Sequence, residues 1–319
     1  MTTQSDAMPE SPRDSQISES QINQSQTIAP PVTSLTQPMY WSIRRELLEN
    51  RSIYIAPLAA AGLFLVGYLI SMIHLPARMR AALTPMQQHE LIEQPYLYAA
   101  GMIMVTTLIV SVFYCLDALH GERRDRGILF WKSMPVSDLT TVLSKASIPL
   151  VILPLLTFAI TVLTQWIMLL LSTAVLVGNG LGVPTLWTHA SFVQMSLMLL
   201  YHLLAIHSLW FAPFYGWLLL VSAWARRAPF LWALLPPLAI GVVEKIAFNT
   251  THFANLLGAR LGDGPGADAF LAAGGVMMHP LTPLIIGEFL SSPGLWIGLA
   301  ITAVFLAAAV QLRRYQGPI

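Results

Sequence analysis

Histidine, glutamate and lysine carry most of the chemistry available to so apolar a chain, and their spacing limits what they can do. Eight histidines are present. His202 and His207 stand five apart, and on an α-helix that spacing turns them about 140° away from each other. In that geometry they do not face one metal. His89-Glu90 begins a zinc-protease pattern, but no second histidine follows at the required step. There is no glycine-rich phosphate loop, and no serine or cysteine stands in a nucleophile motif. His74, His202, His207 and His279 can be drawn into a haem-binding bundle, though nothing in their spacing demands one. The neighbours Glu244 and Lys245 lie within an apolar run, where charge is costly and usually faces a cavity or a partner. Adjacent helical residues diverge by about 100°, so the two are not a ready ion pair. They are candidates for lining a translocation path, with Gln165 and, more weakly, Gln194. The alternative is that they snorkel to the outer interface.

The second concentration of chemistry is GERRDRGILFWKSMP, residues 121–135. Glu122, Arg123, Arg124, Asp125 and Arg126 are consecutive charges in a chain that is only 10% charged. They run into Ile128, Leu129, Phe130 and Trp131, and Met134-Pro135 closes the stretch. Arginines hold a loop on one side of a membrane, but that does not account for the aromatics. An apolar cluster on such a loop must lie on the membrane or on a partner. Two large aromatics bury about 150–250 Å² each, worth several kcal/mol at about 25 cal/mol per Å². A charged rim around an aromatic centre is a common way to build a protein interface. Ser137 or Asp138 can then cap the next helix.

The elements that position these residues follow from composition. The chain of 319 residues is 55% hydrophobic with a mean hydropathy of +0.63, whereas a soluble domain carries about 25% charged residues. This is the signature of a membrane protein. Cys115 is the lone cysteine, so neither an intrachain disulfide nor a multi-cysteine metal site is available. A spanning helix needs about 20 apolar residues, and six stretches qualify: 52–73, 97–116, 147–177, 192–223, 230–248 and 295–312. The third and fourth exceed that length, so they are expected to tilt, to bend at Pro154 and Pro213, or to project into water. Twelve basic residues flank the spans on one side, among them Arg44, Arg45, Arg51, Arg123, Lys145, Arg226 and Arg313, against Arg78, Arg80 and Arg260 on the other. The positive-inside bias therefore puts both termini in the cytoplasm.

Outside the spans, residues 1–38 are rich in Ser, Gln, Thr and Pro. They are expected to be a disordered tail, and they lack the basic start and apolar run of a signal peptide. In YWSIRRELLENRS, Tyr40, Ile43, Leu47 and Tyr54 recur at helical spacing, with Arg44, Arg45 and Glu49 off that stripe. This predicts an interfacial helix, or alternatively a cytoplasmic extension of the first span. Residues 250–294 carry apolar pieces too short to cross and broken by Gly and Pro. They are expected to form two short helices that re-enter the outer leaflet before the sixth span.

The run LDALHGERRDRGILFWKSMPVSDLTTVLSKA resembles the cytoplasmic loop of ABC-2 type transporter permeases. The matching elements are Glu122-Arg123, the apolar turn Ile128 to Trp131, Met134-Pro135-Val136-Ser137, and Lys145 near the start of the next span. The likeness extends from about residue 39 through the six-span layout. It implies an all-α integral membrane protein with a permease domain at 39–319. That domain would have an N-terminal interfacial helix, a cytoplasmic coupling helix between spans two and three, and re-entrant outer helices before span six. It also implies an exporter subunit of a bacterial-type inner membrane, without cofactor or catalytic residue of its own. Two permease copies, alike or different, would join two separate ATP-binding cassette ATPase subunits and membrane lipid, with no nucleic-acid partner. Glu122, Arg123, Arg126, Ile128, Phe130, Trp131 and Pro135 would be the residues that meet the ATPase. Competing expectations are a membrane-embedded redox or enzyme subunit using histidine ligands, and a non-transporting scaffold whose loop recruits another cytosolic protein.

Overall fold

The computed structural model describes residues 36–81, 84–125, 137–180, 192–261, 287 and 289–315, and among them there is no strand. The first helix, α1 (Thr36–Glu49), starts inside the segment expected to be a tail. Ile43 and Leu47 of its stripe pack on the core, while Tyr40 and Trp41 are exposed. Helix α2 (Ser52–Met72) is the first long apolar helix, and a turn leads from it to the short α3 (Leu75–Ala81). Helix α4 (Pro85–Ala118) begins well before the apolar run because Thr84 and Gln87 form a reciprocal capping box, with Pro85 in the first turn. A break at Leu119 separates it from the five-residue α5 (His120–Arg124).

The third long helix is a composite. Helix α6 (Asp138–Ser147) passes through a π-helical turn, Ile148–Ile152, into α7 (Leu153–Gly178). Pro149 lies within that turn and Pro154 just after it. Neither can donate a backbone N–H, and Leu153 N donates instead to Ile148 O, five residues back. The fourth is also broken. Helix α8 (Phe192–Tyr201) runs into a longer π-helical stretch, His202–Trp210, and then into α9 (Ala212–Trp224). Phe211 N donates to Ile206 O at 3.1 Å, again five residues back, and the segments on either side bend by 47°. The bend thus falls at Phe211, just before Pro213.

Helix α10 (Pro229–Phe248), α11 (His252–Leu261) and α12 (Pro293–Tyr315) complete the described chain. Among the described residues, five helices are long and apolar enough to cross a membrane, six if the bent pair is counted as one. The chain is a multi-pass helical membrane protein by this measure. Helix α11 is a short helix within 250–294, the segment expected to form two short re-entrant helices, and residues 262–286 of that segment lie outside the described residues.

Packing is uneven. The most extensive contact joins α9 to α12. There a Cβ at Gly216 would sit 3.3 Å from the Thr302 side chain, so glycine permits the close approach. Ile53, Tyr114, Cys115, Leu153, Tyr215 and Leu219 lie in the central core. A second cluster, with Tyr68, Met72, Tyr96, Met168 and Leu176, joins α2, α4 and α7 nearer the end that carries α3. Helix α10 buries no residue at all, although Trp217 on α9 donates to Ala233 O at 3.0 Å.

Candidate functional site

The charged stretch after α4 is where the described elements converge. Leu119 and His120 N–H groups, freed by the break before α5, donate to Ser222 Oγ on α9 at 3.0 and 2.9 Å. Ser222 Oγ itself donates to Leu116 O at 2.8 Å. Arg123 is buried and donates to Ala223 O at 2.6 Å, and His120 Nδ1 lies 3.1 Å from Ala225 O. Helix α5 is therefore fastened to the end of α9 through backbone groups that a helix terminus leaves unpaired.

Its other face enters a buried ion cluster. Lys145 Nζ on α6 sits 2.6 Å from Glu46 Oε1 on α1 and 3.1 Å from Glu122 Oε1 on α5. Arg313 on α12 pairs with the second oxygen of Glu122, and its Nε lies 3.1 Å from Asp138 Oδ1 on α6. Tyr114 on α4 donates to Glu46 Oε2 at 2.9 Å. The Lys145 and Arg313 side chains are 3% and 4% exposed. Removing such charges from water costs several kcal/mol each, and only close pairing offsets it. The cluster thus exists only while α1, α4, α5, α6 and α12 hold their places. Ser137, not Asp138, caps α6 by accepting from Thr140 N at 3.1 Å, which leaves the Asp138 carboxylate for Arg313.

The residues expected to meet a partner divide accordingly. Glu122 and Arg123 are turned inward: Glu122 is paired with Lys145 and Arg313, and Arg123 donates to Ala223 O while its buried Nε has no partner among the described residues. Arg126, Ile128, Phe130, Trp131 and Pro135 lie outside the described residues. The cluster is the root of the segment that carries them. Glu46, Asp138 and Arg313 did not figure among the expected site residues. One signal was available for Glu46: it stands three residues after Ile43 and one before Leu47, so it shares their inward face and must find a cation there.

The expected path residues are not brought together. Glu244 accepts from His252 N, Phe253 N and Thr250 Oγ1 at 2.6, 2.8 and 2.8 Å. It caps the start of α11, and Lys245 is exposed beside it. Gln165 is buried between α4 and α7, where its Nε2 reaches Tyr96 O at 3.4 Å and its Oε1 has no partner among the described residues. The side chain of Gln194 lies outside those described. His202 and His207 fall in the π-helical stretch, where residues five apart are hydrogen-bonding neighbours. The α-helical angle that set them apart does not apply there. Among the described residues, no three of His, Cys, Asp and Glu gather as metal ligands.

At the opposite end Arg260 bridges α11, the π-helical stretch His202–Trp210 and α12. Arg260 Nε donates to Trp210 O at 3.1 Å and one terminal nitrogen donates to Gly294 O at 2.7 Å. The guanidinium lies 4.0 Å from the centre of the Trp210 ring, whose Nε1 donates to Arg260 O at 2.9 Å. A side chain at Gly298 would overlap that guanidinium. Burial lowers the Arg260 pKa, but arginine stays charged.

No family model, curated protein or solved structure matches this chain.

Proposed function

We propose that the chain is the membrane-embedded permease subunit of an ATP-driven exporter, with the segment 121–135 as its handle for a separate ATP-hydrolysing subunit. The reading rests on the loop's resemblance, and one observation supports it: the root of that segment is tied by Glu122 to Lys145 and Arg313. A displacement of the loop then cannot stay local. It must shift α6 and α12 or break buried ion pairs, which costs about 3–5 kcal/mol for a pair left half-satisfied. Force entering at the loop is thereby passed to the third and sixth spans.

In this reading the loop end is cytoplasmic, Phe130 and Trp131 anchor in a groove of the ATPase, and Arg126 fixes register with its charge. Glu122 and Arg123 act from inside, setting the loop's origin. A second permease copy completes the assembly, α1 rests at the membrane interface, and no nucleotide binds this chain. The test is co-expression with a candidate ATPase in lipid. Wild-type chain is expected to co-purify with it and to stimulate hydrolysis, and Trp131→Ala to lose both. Retention of both by Trp131→Ala and by Arg126→Glu would refute the assignment.

A further inference from the structure

We infer that the pocket between α2, α3, α4 and α7, at the end opposite the ion cluster, binds the acidic headgroup of an anionic amphiphile. Three hydroxyls converge on it. Tyr68 OH and Ser172 Oγ lie 2.6 Å apart, and Tyr96 OH, on a residue 2% exposed, stands close to both without a hydrogen bond of normal geometry among the described residues. All three residues line a cavity of about 40 Å³. A buried hydroxyl without a well-formed hydrogen bond costs free energy, and a ligand acceptor at this point removes that cost. Arg78 stands on the rim, exposed, and its guanidinium makes no hydrogen bond or ion pair among the described residues. Its neighbour Arg80, by contrast, is engaged with Asn179 O at 3.4 Å. Between the hydroxyls and the arginine the walls are Met72, Leu75, Met79 and Ile92, and methionine adapts its shape to what it meets.

The chemistry selects the ligand. A free guanidinium favours carboxylate or phosphate, and hydroxyl donors favour an oxygen acceptor. The size sets the limit: a water needs on the order of 10–15 Å³ on this scale, so the cavity admits the acidic group itself, a carboxylate or a phosphate, and not an acyl chain. The hydrocarbon therefore stays in the bilayer, against exposed apolar residues such as Ile70 and Ile73 of α2 and the turn after it. This site uses neither the 121–135 segment nor an ATPase, so it stands or falls separately from the proposed function.

The test is native mass spectrometry of the full chain in detergent with dioleoylphosphatidylglycerol, dioleoylphosphatidylcholine and oleate, with inorganic phosphate as competitor. The wild type is expected to retain the phosphatidylglycerol about tenfold better than the phosphatidylcholine, the scale of one charge-assisted contact. Arg78→Gln should abolish that preference without moving the melting temperature, and Tyr96→Phe should weaken retention of the anionic ligands severalfold. Arg80→Gln should leave the preference intact. Oleate retained as well as phosphatidylglycerol points to a free acid as the source, and retention of phosphatidylglycerol alone points to a phospholipid. Equal retention of the two phospholipids by the wild type, an unchanged preference in Arg78→Gln, or displacement by inorganic phosphate would overturn the inference.

Discussion

The two ends of the bundle hold their charges by different means. At the loop end, Lys145 and Arg313 are paired with carboxylates on α1, α5 and α6. At the far end, Arg260 is held by carbonyl oxygens and an aromatic face, and its described hydrogen bonds involve no carboxylate. Ion pairs in a dry site have steep, directional energies, and losing one member leaves the other uncompensated. Carbonyl dipoles and a ring make a softer clasp that keeps an element in place without linking its position to another charge. The contrast is mechanical: at the loop end the position of one helix is tied to charges on others, as the proposed function requires, whereas the far end clasps α11 against its neighbours.

Breaking either end sharpens that contrast. The largest effect is expected from Lys145→Met, which strands Glu46 and half of Glu122, and a loss of about 3–5 kcal/mol is predicted. Thermal unfolding in detergent measures it, and the double variant Glu46→Gln with Lys145→Met should lose clearly less than the sum of the single changes. Gly298→Ala comes next. It drives a methyl group into the Arg260 guanidinium, and overpacking of this kind costs about 1–3 kcal/mol. Proteolysis should then begin in α11 while the ion-cluster end stays protected. Tyr114→Phe removes one hydrogen bond to Glu46, and a loss of about 1.5–3 kcal/mol is expected for a bond to a charged group. The same melting assay reads it, and a change near zero would mean Lys145 alone satisfies that carboxylate. The smallest effect is expected of Glu244→Gln. That carboxylate caps α11 from an exposed position, so faster amide exchange at His252 and Phe253 is predicted with the melting temperature nearly unchanged.

How far this could be read from the sequence depends on the range of each interaction. The spans were legible because a stretch of about 20 apolar residues is a local property. The early start of α4 was also written locally, in Thr84-Pro85-Met86-Gln87, and was passed over in favour of the apolar run. The π-helical stretches carry only the faint signal of Pro149, Pro154 and Pro213, which marks a break and not its kind. The ion cluster was the least legible feature. Lys145 and Glu46 are 99 positions apart, and Arg313 and Glu122 are 191, so no spacing rule joins them. Loop reasoning pointed Glu122 and Arg123 outward because they border the exposed-looking aromatics. The break at Leu119 turns them inward instead. Glu244 shows a related limit: a charge inside an apolar run gives no hint that the next helix, α11, begins on top of it.

The account's central claim is that motion of the 121–135 segment reaches the spans through the carboxylate of Glu122. The most direct measurement is ATP hydrolysis by the proposed partner ATPase, reconstituted in lipid with Glu122→Gln and checked for co-purification and unchanged fold. On the proposed function, that ATPase still binds but its stimulation by this chain is lost. Stimulation equal to wild type in a correctly folded, ATPase-bound Glu122→Gln chain would contradict it.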